Sequence, residues 1–405
     1  MPSHSNQPNR VVSGMRASGA LHLGHYHGVL KNWLRLQHEM ECLFFVADWH
    51  ALTTHYETPE AIADTAINMV VEWLAVGVDP RQSKIFIQSQ VPEHAELHLL
   101  LSMITPLGWL ERVPTYKDQQ EKLKERDLST YGFLGYPLLQ SADILIYNAT
   151  LVPVGEDQVP HVELTREIAR RFNHLFGREP GFETKAADAI RKMGKKSAKL
   201  FHDLRRRYQE KGEEEALEVA RALVEDQKNL TLSDRDRLLG YLEGGGRIIL
   251  VEPEALLTKA ARMPGLDGNK MSKSYGNTIA LRESPEDVDR KIRTMPTDPQ
   301  RVRRDDPGEP DKCPVWPLHQ VYSSADVRDW VQNGCRSAGI GCIDCKRPLI
   351  DAIHAELAPI QARIKELDQD PDQVRGILRE GAEEARELAQ ETLFDVRKAM
   401  GLDYR

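Results

Sequence analysis

Two hydrophobic rhythms alternate through the first half of the chain. Short runs rich in branched and aromatic residues read as strands: Arg10 to Ser13, Glu41 to Asp48, Lys84 to Gln88 and Leu151 to Val154. Between them lie helical stretches, Leu21 to Gln37, Thr58 to Val76, a region containing Pro137 to Tyr147, and Gln158 to His174. The second opens on a Thr-Pro-Glu start signal. Strands alternating with helices predict an α/β fold with a parallel, doubly wound sheet.

The texture changes at about Thr184. From 184 to 246 the chain is dense in Lys, Arg and Glu and closes on Gly244-Gly245-Gly246, which predicts an inserted helical hairpin with a flexible exit. The α/β pattern resumes at Arg247 to Val251, and after Asn277 the sequence is mostly helical. In the last helix Leu378, Ala382, Ala385, Leu388, Ala389 and Val396 share one face at 3.6 spacing. The expected organisation is a frayed tail (1–10), an α/β unit (11–183), the insertion (184–246), a second α/β part (247–285) and a helical unit (286–405). A length of 405 residues agrees, being too long for one compact core.

Hydrophobic residues make up 40% and charged residues 29%, an ordinary globular composition. No apolar run approaches the roughly 20 residues of a membrane span; the best, Cys42 to Ala47, is strand-sized. The tail lacks the apolar core of a signal peptide. A cytosolic location without a membrane partner is expected. The net charge of −8 means that a polyanion must be met by local basic patches. Candidates are Lys195, Lys196, Lys199 and Arg205 to Arg207 in the insertion, and Arg301, Arg303 and Arg304. The acidic run Glu213 to Glu215 makes a solvated, salt-bridged helix an equal reading of the first group.

Two segments carry candidate chemistry. In Ser13-Gly14-Met15-Arg16-Ala17-Ser18-Gly19-Ala20-Leu21-His22-Leu23-Gly24-His25 a strand runs through a Gly-containing turn into a helix start. Free N–H groups and the helix dipole make such an end an anion site. Gly24 leaves room for close approach, and the flanking imidazoles are donors toward a phosphate. The second is Lys270-Met271-Ser272-Lys273-Ser274, bounded by Gly268 and Gly276. Two lysines on such a loop suit a mobile clamp on pyrophosphate. Together the segments resemble the HIGH and KMSKS signatures of class I aminoacyl-tRNA synthetases, the second letter for letter and the first with Leu in place of Ile. Leu139-Gln140-Ser141-Ala142-Asp143-Ile144-Leu145, Val152-Pro153-Val154-Gly155-Glu156-Asp157-Gln158 and Asp48-Trp49-His50-Ala51-Leu52-Thr53 are similar to the tryptophan-specific branch. The resemblance covers about Val11 to Phe176, resumes at about Val251, is weaker to the C-terminus, and leaves the insertion without a counterpart in the shorter bacterial enzymes.

The resemblance implies a Rossmann catalytic domain, a helical C-terminal anticodon-binding domain and a homodimer that joins L-tryptophan to tRNA(Trp), using ATP and Mg2+. It implies that His22, His25, Lys270, Lys273 and Lys117 act in catalysis. Arg16, Ala17, Ser18, Gly24, His25, Gly155, Glu156, Asp157 and Met263 would meet ATP, together with Lys270, Met271, Ser272, Lys273 and Ser274. Asp143 would accept the indole N–H, Tyr136 and Gln158 would hold the ammonium group, and His50, Gln140, Val152 and Val154 would line the tryptophan pocket. Family members often have Gln-Pro where this chain has Arg16-Ala17, so Arg16 meets either the substrate carboxylate or a phosphate. Apart from any resemblance, a carboxylate among Leu138, Leu139, Ile144 and Leu145 is costly unless paired.

Cys313, Cys335, Cys342 and Cys345 leave gaps of twenty-one, six and two residues, a set that suits zinc or an iron–sulfur cluster. Its form resembles the synthetase subset with a [4Fe–4S] cluster in the C-terminal domain, with Zn2+ as the alternative; Cys42 reads as a core residue. Two rival functions share parts of this pattern. A tyrosine-specific synthetase is disfavoured by the sequence around Asp143 and by the cysteines, and a non-catalytic tryptophan- or tRNA-binding paralogue by the intact His22, His25, Lys270 and Lys273. A third rival, a nucleotidyltransferase that uses no tRNA, is disfavoured by the long helical C-terminus.

Overall fold

A computed structural model of the chain describes residues 9–113, 130–178, 181–257 and 263–404. Five parallel strands form one sheet: β1 Arg10–Arg16, β2 Glu41–Ala47, β3 Ser83–Ile87, β4 Leu151–Val154 and β5 Glu254–Leu257, in the order β3-β2-β1-β4-β5. Central β2 is almost wholly buried, because helices cover both faces of a parallel sheet. On one face Trp33 stacks on Phe44 at 4.1 Å and meets Trp73 edge-on. On the other, Leu43, Phe45 and Phe86 pack with Leu138, Ala142 and Phe172. Chain order reverses beside β1, so the carboxyl ends of β1 and β4 flank a topological switch point, the usual crevice for a ligand in such sheets.

Arg247 to Val251 does not form the strand expected of it. Ile249, Leu250 and Val251 are buried, but their amides are satisfied by asparagines: Ile249 and Leu250 donate to Asn173 Oδ1 (2.8 and 3.0 Å) and Val251 to Asn148 Oδ1 (3.0 Å). The fifth strand begins only at Glu254.

The insertion holds four helices rather than two: Phe182–Lys192, Lys195–Lys211, Glu214–Glu225 and Leu232–Leu242. They enclose a core of their own around Phe201, Leu204, Ala220 and Leu238. Its glycine exit is tightly packed instead of loose. A Cβ on Gly246 would lie 2.0 Å from the Gly177 carbonyl carbon, and one on Gly240 would lie 1.4 Å from the Gly246 oxygen.

Residues 286–405 are helical, but no core cluster among the described residues is confined to them. Helix Cys342–Gln369 adds Leu349, Ile353 and Leu357 to the face that holds Phe44. The last helix, Pro371–Ala399, adds Ala382, Ala385, Ala389 and Val396 to the opposite face, as its apolar stripe predicted. It lies against edge strand β3 so closely that a Cβ on Gly381 would sit 2.1 Å from the Ile85 carbonyl oxygen. Among the described residues no helix is long and apolar enough to cross a membrane.

Candidate active site

The helix start and the lysine loop meet. β1 runs through buried Ala17 to Gly19, whose φ of +96° turns the chain, and His22 then caps the helix Leu23–His25. Gly24 N–H donates to His22 Nδ1 at 3.1 Å, and His22 N–H donates to His25 Nδ1 at 3.2 Å. Burial, with Lys273 nearby, lowers His22 to about 4; burial, then His22 and Lys273, lowers His25 to about 3. Both rings are therefore neutral at pH 7. With each Nδ1 accepting, each proton resides on Nε2, so the pair offers two N–H donors and no cation. Gly24 is required on steric grounds: a Cβ there would touch the His22 ring at 2.8 Å.

Lys273 Nζ donates to the carbonyl oxygens of Ser18 and Gly19, each at 2.9 Å, and its pKa is lowered, chiefly by burial. The loop is tied down on both sides. Met271 N–H donates to Met263 O, Leu23 N–H to Ile279 O, and Leu281 N–H to Leu21 O. Met263 and Met271 are buried, whereas Lys270 is exposed. Buried Asn277, not foreseen from the sequence, accepts from Ser272 N–H and donates to Asp267 and to Lys270 O, fixing the loop from within. Glu72, also unforeseen and 1% exposed, takes Leu21 N–H on one oxygen and Arg282 on the other. It thereby joins the residue before the first signature to the stretch that follows the second. Lys117 lies outside the described residues, as does the side chain of Ser274.

Across β2 from this pair, Asp143 is buried within helix Tyr131–Leu145, and the protein itself supplies its partners. Oδ1 accepts from Gln88 Nε2 and from His94 Nδ1, each at 2.7 Å, and Oδ2 accepts from His50 Nε2 at 2.8 Å. Burial favours the neutral acid, but the hydrogen bonds from His50 and His94 outweigh it and hold Asp143 far below the usual carboxylate range. His94 Nε2 meets the Tyr147 hydroxyl at 2.6 Å. The pairing that the sequence demanded thus comes first from two imidazoles and an amide. A carboxylate offers about four acceptor positions; three are taken, and one on Oδ2 remains. Gln88 and His94 were missed, although they follow directly on β3, where parallel sheets place ligand-binding groups.

The other expected residues gather at the same edge. Buried Tyr136 packs its ring against His50 and His161 (centroids 6.5 and 5.6 Å). Burial, followed by the charges of His50 and Arg16, lowers His161 to about 4, which places Arg16 in this neighbourhood. Val152 and Val154 belong to the apolar face shared with Leu138 and Ala142, and Gln140 lies half-buried on the Asp143 helix. Gly155, exposed Glu156 and Asp157, and Gln158 follow the end of β4, with Gln158 donating to Asp157.

The four cysteines are reduced and half-buried. Burial raises Cys345 to about 12, aided by the charges of Cys313, Cys335 and Cys342, so the four thiols are neighbours. His319 Nε2 lies 3.4 Å from Cys345 Sγ. Among the described residues no three His, Cys, Asp or Glu side chains converge closely enough to hold a single metal ion.

The basic groups divide. Arg301 is turned inward, donating to the carbonyls of Arg304 and Ile340, which removes it from the exposed basic patch; Arg303 and Arg304 remain exposed. In the insertion Arg206 and Arg207 pair with Asp203 and Glu213, and Arg205 lies over the Tyr241 ring at 3.9 Å. Arg206 and Arg207 follow the salt-bridged reading, whereas Arg205 is held by the ring and the carbonyl of Tyr241.

The family described as tRNA synthetases class I (W and Y) matches residues 4–205 and 213–358. A tryptophan–tRNA ligase of Ralstonia nicotianae is 67% identical over 397 residues, spanning 98% of this chain and 99% of its own. A tryptophan–tRNA ligase of Thermotoga maritima is 44% identical, spanning 97% and 99%. Among solved structures, the tryptophanyl-tRNA synthetase of Campylobacter jejuni complexed with ADP and tryptophan superposes with a TM-score of 0.73 at 27% identity, covering 97% of this chain and all of that one.

Proposed function

The chain belongs to the class I tRNA synthetases for tryptophan and tyrosine, and we propose how its residues divide the work of a tryptophan–tRNA ligase. The reaction couples L-tryptophan to ATP and then transfers it to tRNA(Trp). The carboxylate oxygen attacks the α-phosphorus in line as the bond to pyrophosphate breaks, giving tryptophanyl-adenylate; the tRNA 3′ hydroxyl then displaces AMP. No protein nucleophile is required, so the side chains position groups and stabilise charge. The meeting of Lys273 with the Ser18–Gly19 turn beside His22 and His25 carries this reading.

His22 and His25 supply neutral N–H donors to the phosphates, and Lys270 and Lys273 supply positive charge as pyrophosphate departs. Ala17, Ser18, Gly24, Met263, Met271, Ser272 and Ser274 bound the nucleotide, Gly155 to Asp157 meet the ribose, and Lys117 adds charge. The remaining acceptor position on Asp143 Oδ2 takes the indole N–H. An amino acid without that donor would leave a buried acceptor unpaired, which is how phenylalanine is refused. Tyr136 and Gln158 hold the ammonium group, His50, Gln140, Val152 and Val154 bound the pocket, and Arg16 lies between carboxylate and phosphate. Magnesium fits as a companion of the triphosphate, since such ions bind through phosphates more than through protein cages. When bound it neutralises phosphate charge.

We assign the thiols of Cys313, Cys335, Cys342 and Cys345 to a [4Fe–4S] cluster. Zinc would draw all four sulfurs to about 2.3 Å from one point. The neighbouring thiols suit either group, and the resemblance favours the cluster, with zinc as the alternative. We read 286–405 as the anticodon-binding unit, with Arg303, Arg304, Lys195, Lys196 and Lys199 as candidate phosphate contacts, and charging of tRNA places the enzyme in the cytosol. The exposed apolar residues Leu99, Met103, Leu107 and Tyr131 support pairing into a homodimer.

ATP–pyrophosphate exchange across the amino acids, followed by charging of total tRNA, tests the function. Exchange with tryptophan alone is expected; exchange with tyrosine, or none, would overturn it. A His25→Ala enzyme should lose most exchange. An anaerobic preparation should be brown and contain iron, whereas a colourless zinc protein would remove the cluster.

A further inference from the structure

We propose that Glu356 is a positioning residue for the adenylate-forming site, clamping the helical turn behind His22 and His25 onto the helix that carries Cys342 and Cys345. The inference rests on the assignment of those histidines to the site.

Directly after His25 the helix opens into a π turn, Tyr26–Leu30, before tightening again over Lys31–Leu36. Lys31 N–H reaches back to Tyr26 O, the wide i→i+5 closure. Such turns are rare and gather at functional sites. One carboxylate from a distant helix grips both ends of this one. Glu356 Oε2 is met by His27 Nε2 at 2.8 Å, and Oε1 accepts from Lys31 Nζ at 2.8 Å. The Tyr322 hydroxyl also donates to Oε2 (2.8 Å) and lies 3.1 Å from His27 Nε2. The carboxylate is held down at about 2: burial works against this, but the bonds from His27 and Lys31 prevail. None of these four side chains has a part in the chemistry described above.

Each residue in an α-helix advances the face by about 100°. If the π turn relaxed to α geometry, His22 and His25 would be rotated by about that angle against the helix Lys31–Leu36. Glu356 opposes this by fixing His27 inside the turn and Lys31 at its exit. The same contacts reach the cysteines. Tyr322 and His319 share the short helix Trp316–Tyr322, and His319 touches Cys345, which lies on the helix of Glu356.

The test is tryptophan-dependent exchange by the full-length enzyme. Glu356→Ala should lower kcat about tenfold or more, as expected for misplaced reacting groups. The KM for tryptophan should hardly change, because the Asp143 pocket makes no contact with Glu356. Glu356→Gln, which keeps an acceptor, should recover most of the rate. Should Glu356→Ala fail to fold, Tyr322→Phe and His27→Ala are expected to lower kcat with the same unaltered KM. An unchanged kcat in the folded variants, or a KM for tryptophan rising in step with the loss, overturns the clamp. If His25→Ala slows exchange and the clamp variants do not, only the clamp falls; if His25→Ala is itself harmless, the site assignment falls with it.

Discussion

Lys273 stands 255 residues beyond Ser18, yet its ammonium donates to the Ser18 carbonyl at 2.9 Å. The charge of Glu72 acts on this cation from nearby, but the lysine's hydrogen bonds go to neutral carbonyls, and incoming phosphate oxygens are better acceptors than those. Lys273→Ala should therefore slow ATP–pyrophosphate exchange by about 100-fold, the cost of deleting one preorganised charge contact. An enzyme with unaltered exchange would remove Lys273 from the reaction.

Asp143→Asn keeps the size of the side chain while exchanging an acceptor for a donor in a site built from the donors of Gln88, His94 and His50. At least one close N–H pair then faces another. A mismatch of about 1–3 kcal/mol corresponds to roughly a 5- to 150-fold fall in kcat/KM for tryptophan. Exchange at varied tryptophan reads this directly, and a change of less than twofold would show that the carboxylate is not used.

Acid should act on stability before it acts through the carboxylates of the site. His22, His25 and His161 are lowered to about 4, 3 and 4 from an ordinary value of 6.5. Between those values the unfolded chain binds the protons and the folded chain does not, so stability rises with pH. Their contribution is complete above about 6.5 and is lost as pH falls toward 4. Melting temperature scanned over this range should decline on acidification, and His161→Gln should flatten the decline. A profile unchanged by that substitution would deny His161 its share.

Glu72→Ala should cost about 3 kcal/mol, the scale for breaking a buried ion pair, because it strands Leu21 N–H and loosens Arg282. A loss of several degrees in melting temperature is expected. Arg282 retains Asp368, so the fold should survive and exchange should fall with the drift of both signature segments. A variant as stable as the parent would show that Glu72 merely fills space.

The sequence made some of this plain, for a physical reason. β4 and the apolar stripe of the last helix follow from local periodicity, and the two signatures lie within runs of a few residues. Arg247 to Val251 misled because its side chains follow a strand pattern while its amides are taken by Asn173 and Asn148, which periodicity does not record. The partners of Asp143 come from three other elements, 49 and 93 residues away for the histidines and 55 for Gln88. No spacing rule links them. The four-helix insertion was read as two because Gly194 and Gly212, which break it at positive φ, resemble ordinary surface glycines.

Gly381 lies against the backbone of Ile85 with no room for a single methyl group. The helix Pro371–Ala399 is thus the one that closes the flank of β3 and completes one face of the core. Without that helix β3 would present an uncovered flank, open to pairing with another chain. Removing 371–399 would therefore leave a chain prone to association instead of a shorter enzyme.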